Sequence, residues 1–286
     1  MKSQTKGILC IILSAFCFAV MNVCVRAAGD LPSVEKSFFR NLVAAAVALA
    51  ALLKNKTSLR CGEGNLKYLL LRSIFGTIGI LCNFYAVDHL VISDASMLNK
   101  MSPFFVIIFS YLILKEKLNV IQILAVAGAF AGSLFVIKPS FSNMDFMPSL
   151  IGLMGGLGAG AAYTMVRILG QRKVEGSFVV FFFSTFSCVV TLPYLVFAFK
   201  SMSAMQLLIL LGAGTAAAGG QFAITKAYYY APAREISVYD YSQIIFAAVL
   251  GFLLFGQIPD GYSILGYFII CAMAVMMFLH NRKRET

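Results

Sequence analysis

The sequence predicts an all-α integral membrane protein with ten membrane-spanning helices. Apolar residues make up 60% of the 286-residue chain and charged residues only 12%, whereas soluble proteins carry roughly 25% charged residues. The apolar residues fall into runs of about twenty, the length that crosses a hydrocarbon core roughly 30 Å thick. Polar or proline-containing breaks separate these runs, so each run is expected to form its own helix.

Taken in chain order, the predicted helices cover residues 7–27, 34–53, 67–88, 94–114, 118–137, 150–170, 177–199, 205–229, 236–256 and 261–280. The first run follows two lysines and could resemble a signal peptide, but no small-residue cleavage site and polar mature chain follow it. It is therefore expected to be retained as the first helix. The seven cysteines lack metal-ligand or CxxC spacing, so neither a metal nor a cofactor is expected.

The distribution of lysine and arginine predicts that both termini are cytoplasmic. If the N-terminus is cytoplasmic, fourteen basic residues fall in cytoplasmic segments and four in outer segments, as the positive-inside rule requires. The outer four are Arg26, Lys36, Lys138 and Lys200. The loops thus explain the net charge of +11, and no nucleic-acid partner is expected. The expected partners are the lipid bilayer and a small-molecule substrate, and the protein is expected to be a monomer or weak dimer.

A weak internal repeat divides the chain into two halves, residues 1–140 and 141–286. At a spacing of 141 residues, Ala227 matches Ala86 and Gln257 matches Glu116. Each half contains five predicted helices, and because five is odd the two halves must have opposite orientations. An inverted repeat is the usual basis of alternating access. This repeat therefore indicates a secondary transporter.

A motif in the first half resembles the drug/metabolite transporter superfamily, in particular its EamA-type ten-helix members. The motif residues are Ala95, Ser96, Leu98, Ser102, Pro103, Phe104, Phe105, Leu114 and Glu116. The resemblance covers nearly the whole chain, although the second half has Ile244 and Gln257 where the family often has Pro and Glu. It implies that helices 1, 3, 4, 6, 8 and 9 line a cavity and that helices 5 and 10 pack beside each other.

Ionisable residues inside predicted helices are candidate site residues, because lipid makes them costly. The repeat places Asn99-Lys100 opposite Asp240-Tyr241, where Lys100 would hold a carboxylate and Asp240 an amine of one substrate from two sides. Counting helical rise separates them by about 12 Å along the membrane normal, so a direct ion pair is not expected. Alternatively, Lys100 reaches outward to Asp88 and Asp94, and Asp240 pairs with Lys226 near a helix N-terminus.

Three arginines also lie within predicted helices. Arg40 is a cavity candidate or, alternatively, a partner of Glu35 at the outer mouth. Arg72 and Arg167 lie near the cytoplasmic interface and are predicted to be anchors whose charges reach the headgroups.

Neutral polar side chains complete the predicted site. The substrate-binding candidates are Lys100, Asn99, Asp240, Tyr241, Asn22, Asn83, Tyr163, Tyr239, Gln243 and Arg40. Gln221 and Tyr228 to Tyr230 are weaker candidates. The alternatives are hydrogen bonds between helices for the amides and an interfacial belt for the tyrosines. The glycines of helices 5, 6 and 8 are expected to allow close helix packing.

These features predict a secondary transporter that exports a small polar metabolite across the cytoplasmic membrane. An amino acid or related carboxylate-bearing compound is favoured, because basic groups outnumber acidic ones inside the helices. Helix 1 lacks the acidic residue on which small cation-exporting relatives depend, which disfavours a cationic drug. A nucleotide-sugar or nucleoside substrate, a cationic drug and a channel remain alternatives. The sequence contains neither HExxH nor GxSxG, so an enzyme is not expected.

Overall fold

Helices form the framework of the chain. The computed structural model describes residues 3–54, 62, 64–114, 119–138, 145–230 and 237–283. The helices are α1 Ser3–Ala27, α2 Ser33–Lys54, α3 Leu66–His89, α4 Ile92–Asn99, α5 Ser102–Leu114, α6 Val120–Ile137, α7 Phe146–Gln171, α8 Gly176–Ala198, α9 Ala204–Tyr230, the 3₁₀ helix Ser237–Tyr241, α10 Ser242–Phe255 and α11 Gly261–Lys283. The motif residue Glu116 and the side chains of the candidate residues Tyr228 and Tyr229 lie outside the described part.

These elements form the ten predicted spans. Within the described ranges, nine segments are long and apolar enough to cross a membrane, and Tyr239–Phe255 is a shorter apolar helix. Together α4 and α5 form the fourth span, and the 3₁₀ helix and α10 form the ninth. Large apolar side chains cover the outer surface, for example Phe197 with 89% exposure and Phe268 with 75%, and a bilayer would bury them. The chain is a multi-pass membrane protein, as the sequence predicts.

The fourth span is interrupted at Lys100 and Met101, where the sequence predicts one continuous helix. Pro103 has no N–H to donate to the carbonyl of Asn99, and its ring would clash with that carbonyl in a regular helix. The backbone instead forms a hydrogen bond of 3₁₀ type, between residues three apart, from Met101 N to Leu98 O at 3.2 Å before α5 begins. This break frees backbone groups and a lysine in the middle of the span.

The start of α4 is held by the end of the ninth span. The Ile92 N–H donates to Gln257 Oε1 at 3.0 Å, and this bond satisfies one of the N–H groups that a helix N-terminus leaves unpaired. Gly256, with φ of +64°, ends α10 in the left-handed conformation that glycine tolerates. Gln257, one of the two departures from the family pattern, therefore links the two halves.

The main helix contacts all join one half of the chain to the other. The first-half helices α1, α2, α3 and α6 pack against α9, α8, α7 and α11 respectively. Exchanging the halves maps the α1–α9 pair onto the α7–α3 pair, and it maps α2–α8 and α6–α11 onto themselves. An inverted repeat predicts this pattern, while the repeat relation and the cytoplasmic termini stay predictions. The implied packing of spans 5 and 10 is confirmed as α6 against α11.

Glycines bring the backbones of α3 and α7 into contact. A Cβ on Gly158 would lie 2.9 Å from Phe75 O, and one on Gly155 would lie 3.1 Å from Asn83 N. On α3, a Cβ on Gly79 would lie 3.1 Å from Ala159 N. The predicted role of these glycines in close packing is confirmed, and the contact positions α3 beside the central cavity.

Candidate functional site

A cavity of about 100 Å³ lies between the two halves, with room for several water molecules. Its lining includes apolar and polar side chains from eight spans: Phe18, Met21 and Asn22 of α1, Arg40 of α2, Arg72, Gly76, Gly79, Ile80, Asn83 and Phe84 of α3, Asn99 and Lys100 at the break, Ala159, Ala162 and Tyr163 of α7, Phe183 of α8, Gln221 and Ile224 of α9, and Asp240 and Gln243 of the ninth span. Spans 1, 3, 4, 6, 8 and 9 contribute, as the resemblance implies. Spans 2 and 7 contribute in addition.

Lys100 and Asp240 form a direct ion pair across the cavity. Lys100 Nζ lies 2.5 Å from Asp240 Oδ2, so the expectation of a separation too large for contact is wrong. The count of helical rise assumed straight helices, but Lys100 follows the last residue of α4 and Asp240 lies in the 3₁₀ helix. Neither side chain is therefore constrained to lean along a regular α-helix. The alternative partner Lys226 is exposed and forms no ion pair with Asp240.

Tyr241, at the end of the 3₁₀ turn of the ninth span, bonds to the backbone at the break of the fourth span. Its hydroxyl donates to Lys100 O at 3.2 Å. In a regular α-helix that carbonyl would accept from the Phe104 N–H, but Phe104 N donates to Met101 O instead. Only 8% of Tyr241 is exposed, and it lies behind the cavity wall. The residue thus supports Lys100 from the second half.

A chain of amides ties three first-half spans together at the cavity. Asn22 Nδ2 donates to Ser96 Oγ at 3.2 Å, and Asn83 Nδ2 donates to Asn22 Oδ1 at 3.5 Å. Asn83 Oδ1 is buried without a hydrogen-bond partner. These asparagines therefore hold the helices together, as the alternative interpretation had it, and also present polar atoms to the cavity.

Arg40 lies in the cavity wall and does not pair with Glu35. It is 3% exposed and donates from Nη1 to Asn41 Oδ1 at 2.5 Å. Asn41 in turn donates to Ser187 Oγ of α8 at 2.9 Å. The Glu35 carboxylate instead accepts from the backbone of Lys200 at 2.6 Å, because the turn before α9 lies over it. The predicted Arg40–Glu35 alternative is thus wrong.

Arg72 also lies in the cavity, where the sequence predicts an interfacial anchor. It is 6% exposed, and its guanidinium lies 3.7 Å from the ring centroid of Phe183. Gly76, one turn along α3, leaves the space for it, because a Cβ there would collide with Arg72 Nη1. The sequence does contain a signal for this arrangement, because Arg72 and Gly76 are four residues apart and therefore lie on the same face of the helix. By contrast, Arg167 is exposed, as an anchor would be.

Hydrogen bonds and two ion pairs, Lys36–Asp88 and Lys138–Asp260, tie the helix ends on the side predicted to face outward. Lys36 is fully buried and lies 2.6 Å from Asp88 Oδ1. Arg26 donates to Val87 O at 2.7 Å. Asp94, the other proposed outer partner of Lys100, accepts instead from the Tyr267 hydroxyl. Lys100 therefore does not reach outward.

Of the ten predicted binding residues, eight line the cavity: Asn22, Arg40, Asn83, Asn99, Lys100, Tyr163, Asp240 and Gln243. Tyr241 supports Lys100 from behind, and Tyr239 is 38% exposed outside the lining. Arg72, Phe183 and the apolar wall were not predicted as site residues. Within the described ranges, no cluster of three histidine, cysteine or acidic side chains could hold a metal ion.

The fold and the site define a multi-pass membrane protein with a polar cavity beside an interrupted helix, an arrangement found in transporters. The model of the EamA-like transporter family matches residues 5–138 and again residues 147–279. The chain belongs to the EamA-like transporter family. The predicted membership in the drug/metabolite transporter superfamily is confirmed.

Named relatives are also transport proteins. The chain is 30% identical to the pseudopaline exporter CntI of Pseudomonas aeruginosa, with 95% of each chain covered. It is 26% identical to solute carrier family 35 member G1 of Homo sapiens, covering 94% of this chain and 78% of that one. It is 28% identical to a riboflavin transporter of Vibrio cholerae, covering 98% and 95%. A crystal structure with 15% identity superposes with a TM-score of 0.67 over 99% of both chains, which shows the fold alone.

Proposed function

We propose that this transporter exports a small polar metabolite with a carboxylate group, an amino acid or related compound, across the cytoplasmic membrane. The observation that carries the proposal is the charge of the cavity. Its lining contains the three cations Arg40, Arg72 and Lys100 but one acid, Asp240. An excess of buried positive charge favours an anionic group on the ligand, since unpaired charges are costly in a low-dielectric site.

The ion pair supplies a way for a substrate with an amine to bind. A carboxylate would take the place of Asp240 beside Lys100, and an ammonium group would take the place of Lys100 beside Asp240. The charges of Lys100 and Asp240 would then stay compensated while the contact between the halves opens. A substrate shifts the equilibrium between two conformations of a protein only if it binds one of them more tightly than the other.

Alternating access between the halves 1–140 and 141–286 is the proposed mechanism. It is supported by the pairing of each main helix with one from the other half. It is also supported by the interruption of the fourth span at Lys100, which pairs with Asp240 of the other half, since broken helices are typical of transporter binding sites. The relatives support transport, while their cargoes are properties of those proteins.

Counterflow into proteoliposomes tests the proposal. Liposomes that contain purified protein and an unlabelled amino acid are expected to accumulate the same labelled amino acid, and protein-free liposomes are not. A panel of acidic, neutral and basic amino acids identifies the preferred side chain. Lack of uptake of every amino acid, together with rapid uptake of a nucleotide sugar or an organic cation, would contradict the proposal.

A further inference from the structure

Two arginines on one side of the cavity carry positive charge that no described acidic side chain compensates. The ion pairs within the described residues join Lys36 to Asp88, Lys100 to Asp240 and Lys138 to Asp260, and none includes Arg40 or Arg72. The Nε atoms of both arginines are buried without a hydrogen-bond partner. Burying a charge without a partner is costly, so both groups indicate a ligand.

The two guanidinium groups occupy separate settings in the same wall. Arg40 is oriented by its bond to Asn41, which is itself held by Ser187 of α8. Arg72 lies on the face of Phe183, also on α8. Two groups that are positioned independently present two binding points, and a guanidinium fork can bind a carboxylate through two hydrogen bonds.

Tyr163 of α7 lines the same cavity as the two arginines, and 43% of it is exposed. Its hydroxyl can donate to an acceptor there. The cavity lining therefore contains three donors that take no part in the Lys100–Asp240 ion pair.

Glycine at position 76 indicates that this wall is shaped around Arg72. Any side chain at Gly76 would collide with Arg72 Nη1, and its Cβ would lie 2.9 Å from the ring of Phe183. The helix thus leaves space for the guanidinium between two helices instead of filling that space with an apolar side chain. A merely structural arginine would need an acceptor for Nε, and none lies in the described structure.

We infer that Arg40 and Arg72, together with Tyr163, form a subsite for two acid groups, so that the substrate is a dicarboxylate or an amino acid with a second carboxylate. This inference rests on the proposed function and narrows its substrate class. A substrate with one carboxylate would leave one guanidinium uncompensated. The Lys100–Asp240 pair then stays closed, and the amine of an amino diacid donates to Asp240 Oδ1, which is buried without a hydrogen-bond partner.

Thermal unfolding of the purified protein in detergent tests the subsite with four probes: L-alanine, L-glutamate, succinate and inorganic phosphate. Glutamate and succinate are expected to raise the unfolding temperature at concentrations where alanine and phosphate have no effect. The variants Arg40→Gln and Arg72→Gln are each expected to weaken the response to succinate at least tenfold. Arg167→Gln is the matched control, because that arginine is exposed outside the cavity, and it is expected to respond as the parent protein does.

Conservative variants keep the test informative if a glutamine variant does not fold. Arg40→Lys and Arg72→Lys retain the charge but lose the fork, and an intermediate weakening of the succinate response is expected. If alanine stabilises as well as glutamate and the arginine variants keep that response, the subsite inference is wrong while the proposed function stands. A response to phosphate without one to succinate also overturns the inference.

The parent protein separates failure of the inference from failure of the proposed function. Counterflow of alanine without counterflow of glutamate or succinate contradicts the two-acid subsite alone. Counterflow of an organic cation with no transport of any carboxylate contradicts both.

Discussion

The two sides of the cavity treat their charges differently. On one side, Lys100 and Asp240 neutralise each other at 2.5 Å, with Lys100 at the break of the fourth span and Asp240 in the 3₁₀ turn of the ninth. On the other side, Arg40 and Arg72 lie on uninterrupted helices without an ion pair in the described structure. The first side joins the halves of the protein through an ion pair, whereas the positive charge of the second side has no ion-pair partner among the described residues.

This difference teaches that a buried cation is not by itself a binding residue. A lysine inside a span is costly, but the charge of Lys100 is compensated by Asp240. The sequence predicts Arg72 as an anchor, yet its charge, like that of Arg40, has no ion-pair partner among the described residues. The two sides should therefore respond differently to removal of a charge.

Breaking the ion pair should have the largest effect on the protein. Asp240→Leu leaves Lys100 largely buried without a partner, which is expected to cost on the order of 3 kcal/mol in the free energy of unfolding and to abolish counterflow. The charge-swapped variant Lys100→Asp with Asp240→Lys is expected to recover much of that stability. Thermal unfolding in detergent measures both variants.

Lys226→Leu is the control for the ion pair, since Lys226 is exposed and does not line the cavity. It is expected to leave the unfolding temperature nearly unchanged. Equal stability of the Asp240→Leu and Lys226→Leu variants would mean that the pair does not hold the halves together.

Crowding the interrupted fourth span should have the next largest effect. A Cβ on Gly156 would lie 2.5 Å from Leu98 O, and backbone atoms cannot swing aside as a side chain can. Gly156→Ala is therefore expected to cost about 1–3 kcal/mol and to slow transport. Gly170→Ala, on the same helix with no atom within 4 Å of the added Cβ, is the control and should be neutral. A neutral Gly156→Ala would show that α7 does not contact the break.

Removing the tyrosine hydroxyl behind Lys100 should have a smaller effect. Tyr241→Phe keeps the ring but loses the bond to Lys100 O, which is expected to cost about 1 kcal/mol. If the hydroxyl positions Lys100, the apparent affinity for substrate should fall with it. Tyr239→Phe, at an exposed position outside the lining, should change neither quantity. Equal effects of the two variants would contradict the supporting role of Tyr241.

An exposed ion pair away from the cavity should have the smallest effect. Burial tends to raise the pKa of Asp260, but hydrogen bonds from Lys138 and Ser263 outweigh it and hold the pKa below its usual range. Because the folded-state pKa is lowered, the stabilisation is present above pH 4 and is lost as the pH falls through the folded value. It should amount to at most about 1 kcal/mol.

Acid unfolding of Asp260→Asn measures that contribution. The variant should lose part of the decline in unfolding temperature between about pH 4 and pH 2. Glu175→Gln, which removes another exposed carboxylate, should retain it. An identical pH dependence in the parent protein and Asp260→Asn would contradict the prediction.

The membrane fold could be predicted from the sequence because the bilayer fixes the length of each apolar run. The interruption of the fourth span could not be placed from hydropathy, since Lys100 is flanked by apolar residues that read as one run. Pro103 was the signal, because its missing N–H acts on the carbonyl of Asn99 four residues earlier. It was interpreted only as part of a family motif.

The sequence identifies cavity residues whose burial in lipid would be energetically costly. It does not identify those residues whose position depends on contacts between helices. Lys100, Asp240 and Arg40 line the cavity as predicted, because a charge in lipid requires a polar surrounding. Their partners depend on how helices rotate, tilt and break, which residue counting does not contain. Arg72 was misassigned because its depth near the inner end of α3 fits an anchor as well as it fits a cavity.

The most direct test of the contrast between the two sides is the unfolding temperature of Lys100→Met and Arg72→Met, measured side by side without substrate. Methionine keeps much of the side-chain volume and removes the charge in both variants. Lys100→Met should unfold below the parent protein because it strands Asp240. Arg72→Met should unfold at or above the parent temperature, because it removes an uncompensated charge. A drop in Arg72→Met as large as that in Lys100→Met would show that the arginine is part of the framework, and would contradict its assignment to the substrate.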